Sequence, residues 1–242
     1  MRTLVIGDIH GGLKALIQVL ESAKVVAEDK LVFLGDYVDG WSESAQVIQY
    51  LIELSKTNDC VFIKGNHDAW AETWLAEDHI NDIWYQHGGK ETIKSYSGFT
   101  EEEKKAHLNF FEAMPMYHID TENRLFVHAG FTSMHGVEKE HNIQSFYFDR
   151  TLWEMALTMD KQMKKMSKFY PSRLKHYSEI FIGHTPTINY FVMHPMNAAN
   201  VWNIDTGAAF TGRLSAVDVV TKDIFQSDIL PDLYPNEKGR NK

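Results

Sequence analysis

One cysteine, Cys60, among 242 residues leaves no partner for an intrachain disulfide. That excludes a disulfide scaffold and fits a reducing compartment. No stretch approaches the 18 apolar residues of a membrane-spanning helix, so none is expected. The opening MRTLVIGDIHGG carries one arginine, an apolar run broken at Asp8 and no small-residue cleavage site, and does not read as a signal peptide. Positive charge is also scarce: 24 Lys+Arg stand against 33 Asp+Glu, a formal net charge of −9. A nonspecific nucleic-acid groove or an anionic-membrane surface would call for the opposite balance. Solenoid repeats and low-complexity linkers are missing as well. What is present is an ordinary globular composition, 44% hydrophobic and 24% charged, long enough to bury a core without covalent staples. A cytoplasmic, acidic protein is expected, with no membrane partner and no nucleic-acid groove.

The first 65 residues repeat one rhythm, in which a short β-branched run ends in glycine plus a polar residue and an amphipathic helix follows. Thr3–Ile6 leads into Gly7-Asp8, Leu31–Leu34 into Gly35-Asp36, and Cys60–Ile63 into Gly65-Asn66. Apolar residues at helical spacing fill 13–20 and 42–54. Strands separated by helices predict βαβ units, an α/β fold and a largely parallel sheet with polar groups at the carboxyl ends of its strands. Residues 66–114 read as mainly helical, 116–127 as a hairpin, 149–168 as a helix, and the last third as β-rich, with strands at 180–182, 190–193, 201–204 and 214–220. One domain over 1–230 is expected, with 131–177 as a lid-like insertion and 231–242 as a frayed polar tail.

Five segments set hard polar groups just after apolar runs: GDIHG (7–11), GDYVDG (35–40), GNHD (65–68), VHAG (127–130) and GHT (183–185). Any one of them is an ordinary turn or cap. Five in succession are not explained by turn chemistry. Carboxylates, imidazoles and one amide without a thiolate form a donor set suited to Mn²⁺, Fe or Zn²⁺.

These blocks resemble the calcineurin-like metallophosphoesterases and, within them, the phosphoprotein phosphatase superfamily, whose pattern is GDxHG, GDxVDRG, GNHE, a His-Gly/Ala-Gly block and a later His. The resemblance spans residues 7–185. It implies a four-layer αββα sandwich with a dinuclear site at the carboxyl ends of the strands and two divalent cations, most naturally Mn²⁺, with Fe or Zn²⁺ as alternatives. Asp8 and His10 would hold the first ion, Asp36 would bridge, and Asn66, His128 and His184 would complete the second. His67, adjacent to a ligand, becomes the candidate general acid, and the same resemblance makes Asp39 its partner.

The pattern departs at one point: where the family places a phosphate-gripping arginine after Asp39, this chain has Gly40 and Trp41. Losing one such contact costs about 2.7–4 kcal/mol of transition-state stabilisation, so another cation is expected. Arg150 is the first candidate and Arg173 the second, with Arg213 read as structural. Trp41 is expected to touch substrate. Other features take plainer readings. Met155, Met159, Met163 and Met166 form a packing stripe, and Lys161, Lys164, Lys165 and Lys168 the solvated face of the same helix. His135, Glu138 and His141 form a polar loop, Trp70 and Trp74 are core, and Cys60 is a buried strand residue.

The function expected from this set is phosphomonoester hydrolysis, of phosphoserine or phosphothreonine in proteins, by direct attack of metal-bound hydroxide. GNHD and VHAG lean toward bacterial enzymes and an alternative, symmetrical diadenosine tetraphosphate hydrolysis. A non-catalytic scaffold for phosphorylated partners is the distant alternative.

Overall fold

The computed structural model describes residues 2–241 and contains two five-stranded mixed sheets. In chain order the strands are β1 (Thr3–Ile6), β2 (Lys30–Phe33), β3 (Asp59–Phe62), β4 (Tyr117–Ile119), β5 (Leu125–Val127), β6 (Ile180–Ile182), β7 (Met196–Ala198), β8 (Val201–Asn203), β9 (Ser215–Asp218) and β10 (Ile224–Gln226). The helices are α1 (Leu13–Ser22), α2 (Ser44–Leu54), α3 (Asn66–Glu77), α4 (Asp82–Trp84), α5 (Lys90–Ser95), α6 (Glu101–Glu112), α7 (Ile143–Phe148), α8 (Thr151–Thr158) and α9 (Leu230–Leu233). The first sheet runs β10-β9-β1-β2-β3, with β1, β2 and β3 parallel. The second runs β4-β5-β6-β8-β7, with β5, β6 and β8 parallel.

Period-two alternation along the strands creates the layers. Leu4, Ile6, Leu31 and Phe33 face α1 and α2, whereas Val5, Val32 and Leu34 face the other sheet. On that second sheet Phe126 and Phe181 point inward, their rings stacked at 5.1 Å. Leu125, Val127, Ile180 and Ile182 point outward onto Leu152, Trp153 and Tyr177. Helices therefore cover the outer faces and the sheets pack against each other, which is the four-layer αββα arrangement. Helix α6 starts where Thr100 and Glu103 cap each other reciprocally. Among the described residues, no helix is long and apolar enough to cross a membrane.

Residues 131–177 form the crossover between the parallel strands β5 and β6, and their apolar side chains build the outer core of the second sheet. The single helix expected over 149–168 is instead α8 alone, ending at Thr158, with turns beyond it. Met155 and Met159 pack on the core, but Met166 is 94% exposed, so the four methionines form no stripe. The strand expected at 190–193 is a short 3-10 turn over Thr187–Tyr190, and the strand itself lies at Met196–Ala198. The C-terminal segment is not frayed. Tyr234 is buried and stacked on Trp41, Glu237 accepts from Ser42, and the Arg240 amide donates to Ala209.

Candidate active site

The loops after β1, β2, β3, β5 and β6 meet at one place. The amides of Ile9 and His10 both donate to the Asp36 carbonyl, at 3.0 and 2.9 Å, tying the first loop to the second. The Asp68 carboxylate accepts from the amides of Asp36, Tyr37 and Gly65, at 2.7, 2.9 and 2.8 Å, tying the second to the third. Held this way, His10, Asp36, Asp39 and His184 all adopt positive φ, at 53°, 54°, 74° and 65°. Non-glycine residues take that conformation at a cost that surrounding structure must offset, and such residues gather at functional sites.

Two groups of donors result. Ligand atoms of His10, Asp36 and His67 lie within 4.8 Å of one another, and so do those of Asp36, His128 and His184. Asp36 belongs to both. Asn66 Oδ1 lies 3.2 Å from His128 Nε2, and Asp8 Oδ2 accepts from the His184 amide at 3.0 Å. The imidazole tautomers suit coordination. His10 Nδ1 donates to the carbonyls of Asp39 and Val38, and His128 Nδ1 donates to that of Leu34 at 2.8 Å, so in each ring Nε2 is the nitrogen left to face the cluster.

Several observations show that these residues fit divalent cations. Asp8 Oδ1 is buried and has no hydrogen-bond partner, an arrangement that persists only when something else satisfies the oxygen. A Cβ at Gly183 would run into Asp8 Oδ1, and one at Gly65 into Asp36 Oδ1, so the two glycines leave room for the carboxylates alone. Burial and the nearby Asp205 carboxylate push Asp8 well above the usual range, and burial lifts Asp205 to about 6. Burial alone would lower His128, yet the Asp36 carboxylate draws it up to about 10. Crowded buried carboxylates of this kind demand positive charge, which a divalent cation supplies.

Beside the cluster, His67 Nδ1 meets Asp39 Oδ2 at 2.5 Å. Burial pushes Asp39 up to about 8 and His67 down to about 3, so between those limits the pair is electrically neutral and carries one exchangeable proton. Trp84 Nε1 donates to Asp39 Oδ2 at 2.7 Å and Thr92 Oγ1 to Oδ1 at 2.5 Å. An indole N–H can only donate, so these contacts favour a carboxylate and leave the proton on the imidazole. His67 could then release a proton from Nε2.

A cavity of about 280 Å³ opens above the cluster. Its floor includes His10, Asp36, Asn66, His67 and His184, and its rim is Trp70, Phe148, Arg150, Phe210 and Arg240. Arg150 therefore lines the cavity. Arg173 does not. Its guanidinium donates to the Phe131 carbonyl at 2.7 Å and pairs with Asp149, holding the crossover together. Trp41, expected to touch substrate, does not line this cavity. It is fully buried, and its indole N–H donates to the Ala208 carbonyl at 2.7 Å. Trp70 and Trp74 both pack against the first core, and Trp70 also forms part of the rim. Arg213 donates to Ser227 and is structural. Among the described residues, His135, Glu138 and His141 form no metal-holding group. Sequence reasoning missed Asp68, Asp205, Trp70, Phe210 and Arg240. Asp68 stood in the GNHD block and could have been found there. Asp205 lies beyond the motif blocks, at a strand's carboxyl end.

Comparison with known proteins agrees with this geometry. The chain is 28–29% identical over 234 residues to asymmetrical bis(5'-nucleosyl)-tetraphosphatases PrpE of Anoxybacillus flavithermus and Bacillus anthracis, with about 88–90% of each chain covered. In fold it resembles a putative diadenosine tetraphosphatase (TM-score 0.63, 18% identity, 93% of this chain and 92% of that one). It also resembles a serine/threonine phosphatase of Saccharomyces cerevisiae (TM-score 0.65, 13% identity, 100% and 84%). The family model for calcineurin-like phosphoesterases matches residues 1–212, the stretch that supplies every residue of the buried His/Asp cluster, and the chain belongs to that family.

Proposed function

We propose that this metallophosphoesterase hydrolyses dinucleoside polyphosphates, of the tetraphosphate class, by asymmetrical cleavage. The observation that carries the reading is the rim. Two guanidiniums, Arg150 and Arg240, and three aromatic rings, Trp70, Phe148 and Phe210, surround the buried His/Asp cluster. Guanidiniums suit a chain of phosphates and aromatic faces suit bases. The names of the curated relatives support the same substrate class and favour asymmetrical over symmetrical products.

In this reading Asp8, His10 and Asp36 hold one divalent ion and Asp36, Asn66, His128 and His184 the other, manganese being compatible with the N/O donors. Two such ions supply charge neutralisation at phosphorus and a lowered pKa for water. The protein's own groups do the rest. Asp68 and the left-handed loops fix the donors, and the carbonyls that hold Nδ1 of His10 and His128 turn Nε2 of each ring toward the cluster. His67, oriented by Asp39, delivers a proton from Nε2 to the departing oxygen.

That dyad is the one feature favouring a second reading, hydrolysis of phosphoserine or phosphothreonine in proteins. A departing alkoxide needs a proton far more than a departing phosphate does. The test is a side-by-side measurement of kcat/KM on Mn²⁺-loaded protein with diadenosine tetraphosphate and a phosphoserine peptide, with product analysis. We expect the dinucleotide to be preferred by at least tenfold and to yield ATP plus AMP. Preference for the peptide would reverse the order of the two readings, and two ADP would overturn asymmetrical cleavage.

A further inference from the structure

We propose that Arg240, on the C-terminal segment, is the guanidinium that grips substrate phosphate beside His67, in the space that Gly40 leaves open. The inference rests on the phosphoesterase reading of the site but not on the choice of dinucleotide as substrate.

Position carries the argument first. Arg240 lines the same cavity as His10, Asp36 and His67 although it lies 173 residues beyond His67 in the chain and outside the matched stretch 1–212. A Cβ built on Gly40 would approach Arg240 Cγ to 3.2 Å, so any larger residue at 40 would press on this side chain. Gly40 also has φ 127°, a conformation that side-chain-bearing residues rarely adopt. An arginine at position 40 is thus disfavoured by both backbone and space, and the cation arrives from the other end of the chain.

The segment that delivers it is anchored. Trp41, the residue after Gly40, forms its bed: Tyr234 stacks on the Trp41 ring at 5.2 Å, and a Cβ at Gly239 would meet Trp41 Cζ2 at 2.6 Å. Glu237 accepts from the Ser42 amide at 3.0 Å and its hydroxyl at 2.7 Å. The Arg240 amide donates to the Ala209 carbonyl at 2.8 Å, and the guanidinium carbon lies 5.3 Å from the centroid of the Phe210 ring. The Gly40-Trp41 dipeptide therefore both clears the place and docks the strap that fills it.

Charge is the third part. Among the described residues, no carboxylate pairs with the Arg240 guanidinium and no protein acceptor takes a hydrogen bond from it. It lines the cavity together with His10, His67 and Asp205, and Arg150 lines the same cavity with His184. A phosphate seated in that cavity has both guanidiniums on its walls. A planar fork with five donors and no partner is suited to a phosphate oxygen pair.

The test compares the parent with Arg240→Ala and Arg240→Lys, each metal-loaded, with metal content and thermal midpoint measured as controls. The first readout, inorganic phosphate binding by titration calorimetry, is independent of turnover. Arg240→Ala is expected to weaken phosphate binding at least tenfold and to lower kcat/KM on p-nitrophenyl phosphate by roughly 10²–10³-fold. Arg240→Lys should keep part of both, and millimolar guanidinium should partly restore Arg240→Ala but not alter the parent. Phosphate binding by a normally folded Arg240→Ala within twofold of the parent would overturn the assignment. These probes carry no base, so the result is separate from the preference for dinucleotide. A metal-loaded parent that neither binds phosphate nor cleaves any phosphoester would overturn the phosphoesterase reading and the Arg240 assignment with it.

Discussion

The cavity floor comes from five strand ends and is largely buried, with Asp8, His10, Asp36, Asn66, His67 and His128 each at most 4% exposed and His184 half-buried. Its rim is assembled from α3, the β5–β6 crossover, the β8–β9 loop and the C-terminal segment, and it is open, with Phe148 at 42%. Floor residues are held by backbone amides and strained loops, so each position is set within a few residues of a strand. Rim residues are held by packing between elements far apart in the chain. The difference separates two tasks. In the proposed function the floor would fix what bond is broken, and the rim which molecule presents it.

That separation predicts a graded series of effects. The largest belongs to the floor: Asp36→Asn removes the one carboxylate common to both donor groups, and kcat/KM on every phosphoester should fall by roughly 10³-fold or more, about 4 kcal/mol. A loss confined to one substrate class would break the division. Next is His67→Asn, expected to cost about 10²–10⁴-fold where the leaving oxygen is an alkoxide and clearly less on the phosphoanhydride of a dinucleotide. Equal losses on both would contradict its role as proton donor and make His67 a residue that only holds the cluster in place.

Rim effects come third. Trp70→Ala should raise KM for diadenosine tetraphosphate by about 5–150-fold, the equivalent of about 1–3 kcal/mol for one stacked base. The same variant should leave p-nitrophenyl phosphate hydrolysis within about threefold of the parent, and a matching loss on both substrates would place Trp70 with the floor. The smallest effect lies outside both regions. Glu140 is half-buried against its own loop, and the partial loss of solvent there would raise its pKa. Hydrogen bonds from the amides of Asn142, Thr132 and Ser133 outweigh that and hold it at about 2 instead of 4.5. A depressed carboxyl contributes stability that is present above about pH 4.5 and is lost as pH falls through about 2. Glu140→Gln should therefore flatten acid unfolding in that window, followed by circular dichroism, while leaving kcat at neutral pH unchanged.

The same division governs how much was legible in the sequence. The floor could be read because glycine plus a polar residue after an apolar strand is a local signal, and parallel strands carry such signals to one edge. Strands β1, β2, β3, β5 and β6 and helices α1 and α2 followed for the same reason. The rim could not be read this way. Trp41 looked exposed because it follows a loop glycine, yet the C-terminal segment covers it. Arg173 lay in the expected region, yet Phe131 and Asp149 claim it. Arg240 sat in a polar stretch whose order depends on a stacking partner 193 residues upstream of Tyr234, and spacing along the chain carries no trace of that contact. The helix expected over 149–168 failed for a related reason: the crossover must turn back toward β6, and packing overrides its intrinsic preference.

Metal content measured on the purified protein, after stripping and reloading with Mn²⁺, tests the central claim most directly. About two ions per chain should be retained by the parent, with less than about one retained by Asp36→Asn at unchanged thermal midpoint. A parent that holds no divalent ion tightly, or an Asp36→Asn variant that holds as much as the parent, would contradict it.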